Sequence, residues 1–205
     1  MWCKRKRRDR KRTMKELIYK VIMPIVIFFL VAISPVIIAI AHANEKINYL
    51  ETLVPGMIDF ITSRGVNSYN GAPYPQIYIV NEQEICTGAY GKPTDTCDIA
   101  GYYNDDTNEI FIRDKPTQHM SEDRFQEVVL VHELVHFLQY HDGTWQKVQC
   151  RQELELHAYE IQDVYVDLYG IDPKQKIDPL FGILSSMCPR SNPMFFHQQH
   201  LHGGD

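Results

Sequence analysis

The sequence predicts a small α+β domain behind a basic and apolar N-terminal segment. Two observations carry the fold class. Apolar residues recur at helical spacing in three stretches, Lys46 to Arg64, Ser121 to His141 and Arg151 to Tyr169. Between the first and second lie short runs rich in β-branched and aromatic residues, at Gln76 to Val80, Gly101 to Tyr103 and Glu109 to Arg113. The order is helix, strands, helix, short connection, helix, irregular tail, which is a small α+β domain with a short mixed sheet.

The first twenty residues carry ten Lys or Arg against Asp9 and Glu16. Val21 to Ala41 then holds no charge, and Ala41-His42-Ala43 follows. A basic start, an apolar middle and a small-residue site make a secretory signal. The apolar run is 21 residues long, enough to span a bilayer, so an uncleaved anchor is the open alternative. Both readings keep the basic end in the cytoplasm and export the rest. Export is therefore the expected localisation: periplasmic, secreted, or held at the inner membrane facing outward. Residues 1–43 form the leader or anchor, and 44–205 form one domain.

That domain carries 11 basic and 24 acidic residues, near −13. Such a balance excludes nucleic acid as a partner. At 162 residues it buries a core without extra staples and is expected to act as a monomer. Cys3 lies in the basic segment, a weak acylation signal. Four cysteines lie in the domain, an even number, as two disulfides would require. Three pairings are open. The favoured one joins Cys86 to Cys97 across a Gly/Pro-rich loop and Cys150 to Cys188 across a helix start. A thiolate zinc site would need close pairs such as C-x-x-C, and the sequence has none.

The first domain helix presents Ile47, Leu50, Met57, Ile58 and Ile61 on one face, with a kink or break expected at Pro55. Cys86 to Asp98 reads as a loop. Gly101 to Arg113 reads as two strands joined by a polar turn. Ser121 is placed to cap the second helix, which Asp142-Gly143 ends. The third helix closes at Gly170.

The second helix contains Val131-His-Glu-Leu-Val-His-Phe-Leu-Gln-Tyr140. Two histidines and a glutamate in an apolar run are costly to bury without partners, and a divalent metal is such a partner. His132 and His136 lie one turn apart on one helix face, while Glu133 is rotated by about 100°. That is the H-E-x-x-H pattern of zinc metallopeptidases: two ligands, and a carboxylate placed as general base and acid. A catalytic zinc wants a third protein ligand. Asp142 and His141 follow directly, but Gln139 stands where a turn-making Gly would be needed. The better candidate is Glu155 on the third helix, with Glu153 behind it. Ala158 there is small enough for the two helices to approach.

His132-Glu133-x-x-His136, followed by Glu155-Leu-His157-Ala158-Tyr159, resembles the gluzincins, zincin metallopeptidases whose third ligand is a Glu on a following helix. It also looks like small exported bacterial zincin-like domains of unassigned function. The resemblance covers about forty residues. It implies a zincin fold, one Zn²⁺ on His132, His136 and Glu155, and peptide or protein substrates. The family's carboxylate that orients a ligand histidine would fall at Tyr159, so here its place is taken by a phenol. Tyr159 and His157 are the candidates for supporting a ligand or steadying the transition state. His119, His197, His200 and His202 read as surface or tail residues. The rival reading is a non-catalytic, zinc-stabilised binding domain of the envelope.

Overall fold

The computed structural model describes residues 23–66, 69–92 and 97–188. The basic N-terminal segment, Cys3 and the histidine-bearing tail with His197, His200 and His202 lie outside the described residues. The chain divides into two compact units, 1–46 and 47–205. The described residues of the first belong to helix α1, Met23–Thr62. Most side chains of its apolar run lie outside the described set, and among the described residues no helix is long and apolar enough to cross a membrane.

The second unit is mixed α+β. From residue 47 on, α1 buries Leu50, Val54, Met57, Ile58 and Ile61 in the core. The helix runs through Pro55 without the break that the sequence suggested. Pro55 and Gly56 both face solvent, so the carbonyl that the proline leaves unbonded is hydrated at little cost.

Strand β1, Gln76–Val80, leads into α2, Glu82–Tyr90. This helix occupies part of the stretch expected to be loop. Asn81 and Glu84 explain it: the Asn81 side chain accepts from the Glu84 amide, and the Glu84 carboxylate accepts from the Asn81 amide. The helix stops at Gly91, in the left-handed region at φ 70°. Cys86 on α2 is disulfide-bonded to Cys97, with Cα atoms 6.0 Å apart.

Strands β2, Gly101–Asn104, and β3, Glu109–Arg113, form an antiparallel hairpin, and β1 pairs with β3 in parallel. The order is β1-β3-β2, so β2 is an edge. Alternation sends Ile77, Ile110, Ile112 and Tyr103 to the core. The opposite face carries Tyr78, Phe111 and Tyr102 stacked across the three strands, with ring centroids 5.2 and 4.9 Å apart.

Helix α3, Phe125–His141, fills the centre and is buried from Phe125 through Gln139. It starts three residues later than a cap at Ser121 would have set it. The residue before it is Arg124, in the left-handed region at φ 48°, and the Ser121 hydroxyl caps nothing. Arg124 is held there by the buried Glu127 carboxylate, which also accepts from Tyr49 and Tyr165. A short 3₁₀ turn, Arg151–Leu154, then leads into α4, Glu155–Leu168. Cys150, just before that turn, is disulfide-bonded to Cys188, with Cα atoms 5.7 Å apart. Another 3₁₀ turn, Pro173–Gln175, and helix α5, Pro179–Ser185, complete the described chain.

Candidate metal centre

Helix α3 brings His132 and His136 to its face toward α4, and α4 opens with Glu155 on the facing side. The small, fully buried Ala158 lies in that seam. His132 Nε2 lies 3.2 Å from Glu155 Oε2, and His136 Nε2 lies 3.4 Å from Glu155 Oε1. The two Nε2 atoms are 3.1 Å apart. Atoms bound about 2.0–2.1 Å from a tetrahedral zinc lie about 3.3 Å from one another. Each separation is close to the edge of such a tetrahedron, with the two histidines facing different oxygens of the one Glu155 carboxylate, and these residues fit the ion.

The two imidazoles are oriented from behind. His132 Nδ1 is 3.0 Å from Gln162 Oε1, and His136 Nδ1 is 2.9 Å from Gln139 Oε1. Which end of each amide faces its histidine follows from the other end. Gln162 Nε2 donates to the Gln175 carbonyl, and Gln139 Nε2 donates to the Leu154 carbonyl. Only an NH₂ can serve a carbonyl, so each ring receives the amide oxygen. Each Nδ1 therefore carries its proton, and each Nε2 lone pair points at Glu155.

Two lone pairs that close, with a carboxylate beside them, require a cation between them. Without metal that cation is a proton. Burial works against a charged His136, but Glu155, Glu133 and the Gln139 amide outweigh it and push its pKa up to about 9. Burial also opposes charge on Glu155, yet His136 and His132 hold its carboxyl well below the usual carboxylate range.

The metal-free chain has a defined pH response. The His136 contribution to stability is complete below the ordinary value of 6.5 and is lost as pH rises through about 9. The Glu155 contribution is present above 4.5 and fades as pH falls below it. In chelator, the Tm of wild type measured against Glu155→Ala should shrink toward the variant's between pH 6.5 and 9.5. A pH-independent difference would contradict the pair.

Glu133 is buried on the other side of the motif, beside strand β2. Burial raises its pKa, partly offset by His132, His136 and the Tyr103 amide, which donates to it. Gly101 makes this approach possible. A Cβ there would clash with Val129 Cγ1 and crowd Glu133 Oε1 at 3.0 Å.

The Tyr159 ring packs against His132 with centroids 4.7 Å apart. Burial raises its pKa, and Glu155 adds to the effect, so it is a neutral phenol. His157 is half-buried and, among the described residues, makes no hydrogen bond to the cluster. The other candidate ligands are elsewhere. Asp142 accepts from the Thr144 amide, His141 packs on Phe137, and Glu153 accepts from the Gln149 amide. Glu153 also sits beside Cys150 and Cys188, but those thiols are spent in the disulfide. His119 is exposed, as expected of a surface residue.

Sequence reasoning did not find Gln139 and Gln162 as supports. Their signal was slight: each lies three or more residues from a ligand on a helix, at a position that is buried although polar.

Residues 48–194 match the family model described as Domain of unknown function (DUF6647). Neither a curated protein nor a solved structure matches the chain.

Proposed function

We propose that this chain, which belongs to the family of the domain of unknown function DUF6647, is an exported zinc-dependent hydrolase of peptide bonds. The observation that carries the reading is the convergence of His132 Nε2, His136 Nε2 and the Glu155 carboxylate at tetrahedral-edge distances, with the unliganded carboxylate of Glu133 alongside. Zinc would be held by His132, His136 and Glu155; when bound it supplies Lewis acidity, which lowers the pKa of water toward 7 and polarises a carbonyl.

The chain's own residues do the rest. Glu133 takes a proton from the attacking water and passes it to the leaving amine. Its raised pKa brings proton affinity closer to the working pH, and the Tyr103 amide fixes the carboxylate while its charge changes. A site with only structural metal has no use for this second, buried carboxylate. Peptide is the favoured substrate class because β2, which carries Tyr103, is a sheet edge. An extended peptide can add to such an edge by main-chain hydrogen bonds. The basic segment, apolar run and Ala-x-Ala site support action outside the cytoplasm.

The test is zinc content together with hydrolysis of a fluorogenic peptide library. Wild type should carry about one zinc per chain. Glu133→Gln should keep that zinc and lose about 10²- to 10⁴-fold in hydrolysis rate. A wild type that takes up no zinc would overturn the reading. Zinc uptake without hydrolysis of any peptide would leave the metal-stabilised binding domain in its place.

A further inference from the structure

We infer that Gln139 and Gln162 are positioning residues that set the histidine tautomers for metal, doing with neutral amides what a carboxylate would do with charge. The inference deepens the zinc reading and rests on it. The two glutamines are 2 % and 3 % exposed, unusual burial for neutral amides. Each spends its oxygen on a ligand histidine and its nitrogen on a backbone carbonyl of a different segment.

Those anchors are placed to report on the fold. Gln139 holds the carbonyl of Leu154, the residue before Glu155. It therefore ties the α3 ligand His136 to the point where the third ligand enters α4. Gln162 holds the carbonyl of Gln175, whose own side chain is fully buried and donates to the Ser121 and Asp123 carbonyls just ahead of α3. The result is a buried amide chain from the start of α3, through the 3₁₀ turn at Pro173–Gln175, to His132.

Amide supports also have a chemical consequence. A carboxylate behind an imidazole adds negative charge and raises the basicity of the ligand. Two amides fix the rings without that charge. Among the described residues, Glu155 and the nearby Glu133 are then the carboxylates at the site, which would keep a bound ion more electron-poor and favour polarisation of substrate.

The experiment uses the full chain, with zinc affinity measured by competition against a chromophoric chelator. Gln162→Leu and Gln139→Leu should each weaken zinc by about 10- to 100-fold. Gln162→Glu keeps an acceptor for His132 but sets its other oxygen against the Gln175 carbonyl; it should bind zinc more tightly than Gln162→Leu, a partial rescue that loss of packing would not give. Ring ¹⁵N–¹H correlation spectra of the zinc-loaded wild type should place the proton of both His132 and His136 on Nδ1. The spectra decide the matter even if a leucine variant fails to fold. Protons on Nε2, or leucine variants that bind zinc as wild type does, would overturn the inference while leaving the zinc site standing. A wild type that binds no zinc defeats the zinc reading itself.

Discussion

Glu155→Ala should emerge from purification without zinc, its affinity down by more than about 100-fold, beyond what loss of an outer-shell partner costs. The two histidines remain on one turn of α3, but two neutral imidazoles offer zinc an incomplete ligand set and no countercharge. Among the described residues the geometry leaves no substitute nearby. Asp142, His141 and Glu153 are each engaged elsewhere. Glu155→Gln is the stricter variant, since it keeps volume and helix propensity while replacing the anionic donor with a weak neutral one. Chelator competition on both variants checks the result. Wild-type affinity in either would remove Glu155 from the site. Circular dichroism should stay helical throughout, because Glu155 opens α4 and does not pack its core.

Gly101→Ala should lose hydrolysis while retaining zinc, and should destabilise the chain by about 1–3 kcal/mol, the range for an overpacked interior. One methyl group does both. It would collide with Val129 on α3 and crowd Glu133 Oε1 at 3.0 Å and the Phe111 carbonyl at 3.1 Å. The carbonyl belongs to the partner strand and cannot swing aside. The strand or the helix has to move, and Glu133 moves with it. The three nearest atoms to that methyl position belong to Val129, Glu133 and Phe111, not to His132, His136 or Glu155, so zinc binding should be spared. Gly88→Ala is the useful control, because the nearest atoms to its new methyl are the hydroxyl and ring of Tyr102, on the far face of the sheet. Thermal unfolding, zinc content and peptide hydrolysis together separate the effects. Unchanged hydrolysis in Gly101→Ala would mean that Glu133 tolerates displacement and is not the proton carrier.

The α+β class, the three strands and the two helices that carry the candidate ligands were legible because each rests on periodicity, which burial enforces directly. The two disulfide pairings were legible from loop chemistry. Other features were hidden for physical reasons. Helix α2 is short and six of its nine residues face water, so a stretch holding Thr, Gly and Cys looked like loop. Its capping pair, Asn81 and Glu84, was the readable signal. Pro55 looked like a break because the sequence does not say which face of a helix is wet. Ser121 looked like a cap because the left-handed turn at Arg124 depends on Glu127, Tyr49 and Tyr165, which come from three separate helices. Within the site, His132, Glu133, His136 and Glu155 could be named from spacing. Gln139 and Gln162 could not, because a neutral amide on a helix is ordinarily a solvated residue and only tertiary packing makes it a buried partner.

The parallel pairing of β1 with β3 has a consequence for the order of assembly. Gln76 meets Glu109 only after α2 and β2 have been traversed, whereas β2 and β3 are joined by a short turn at residues 105–108. A hairpin of that kind closes in about 1–10 μs, while pairing across a long intervening segment waits on loop closure. Everything that builds the site, from Gly101 to Gln175, lies on one continuous stretch that does not include β1. A refolding chain would thus assemble the candidate site along the fast, local route, with β1 docking afterwards as the last strand of the sheet.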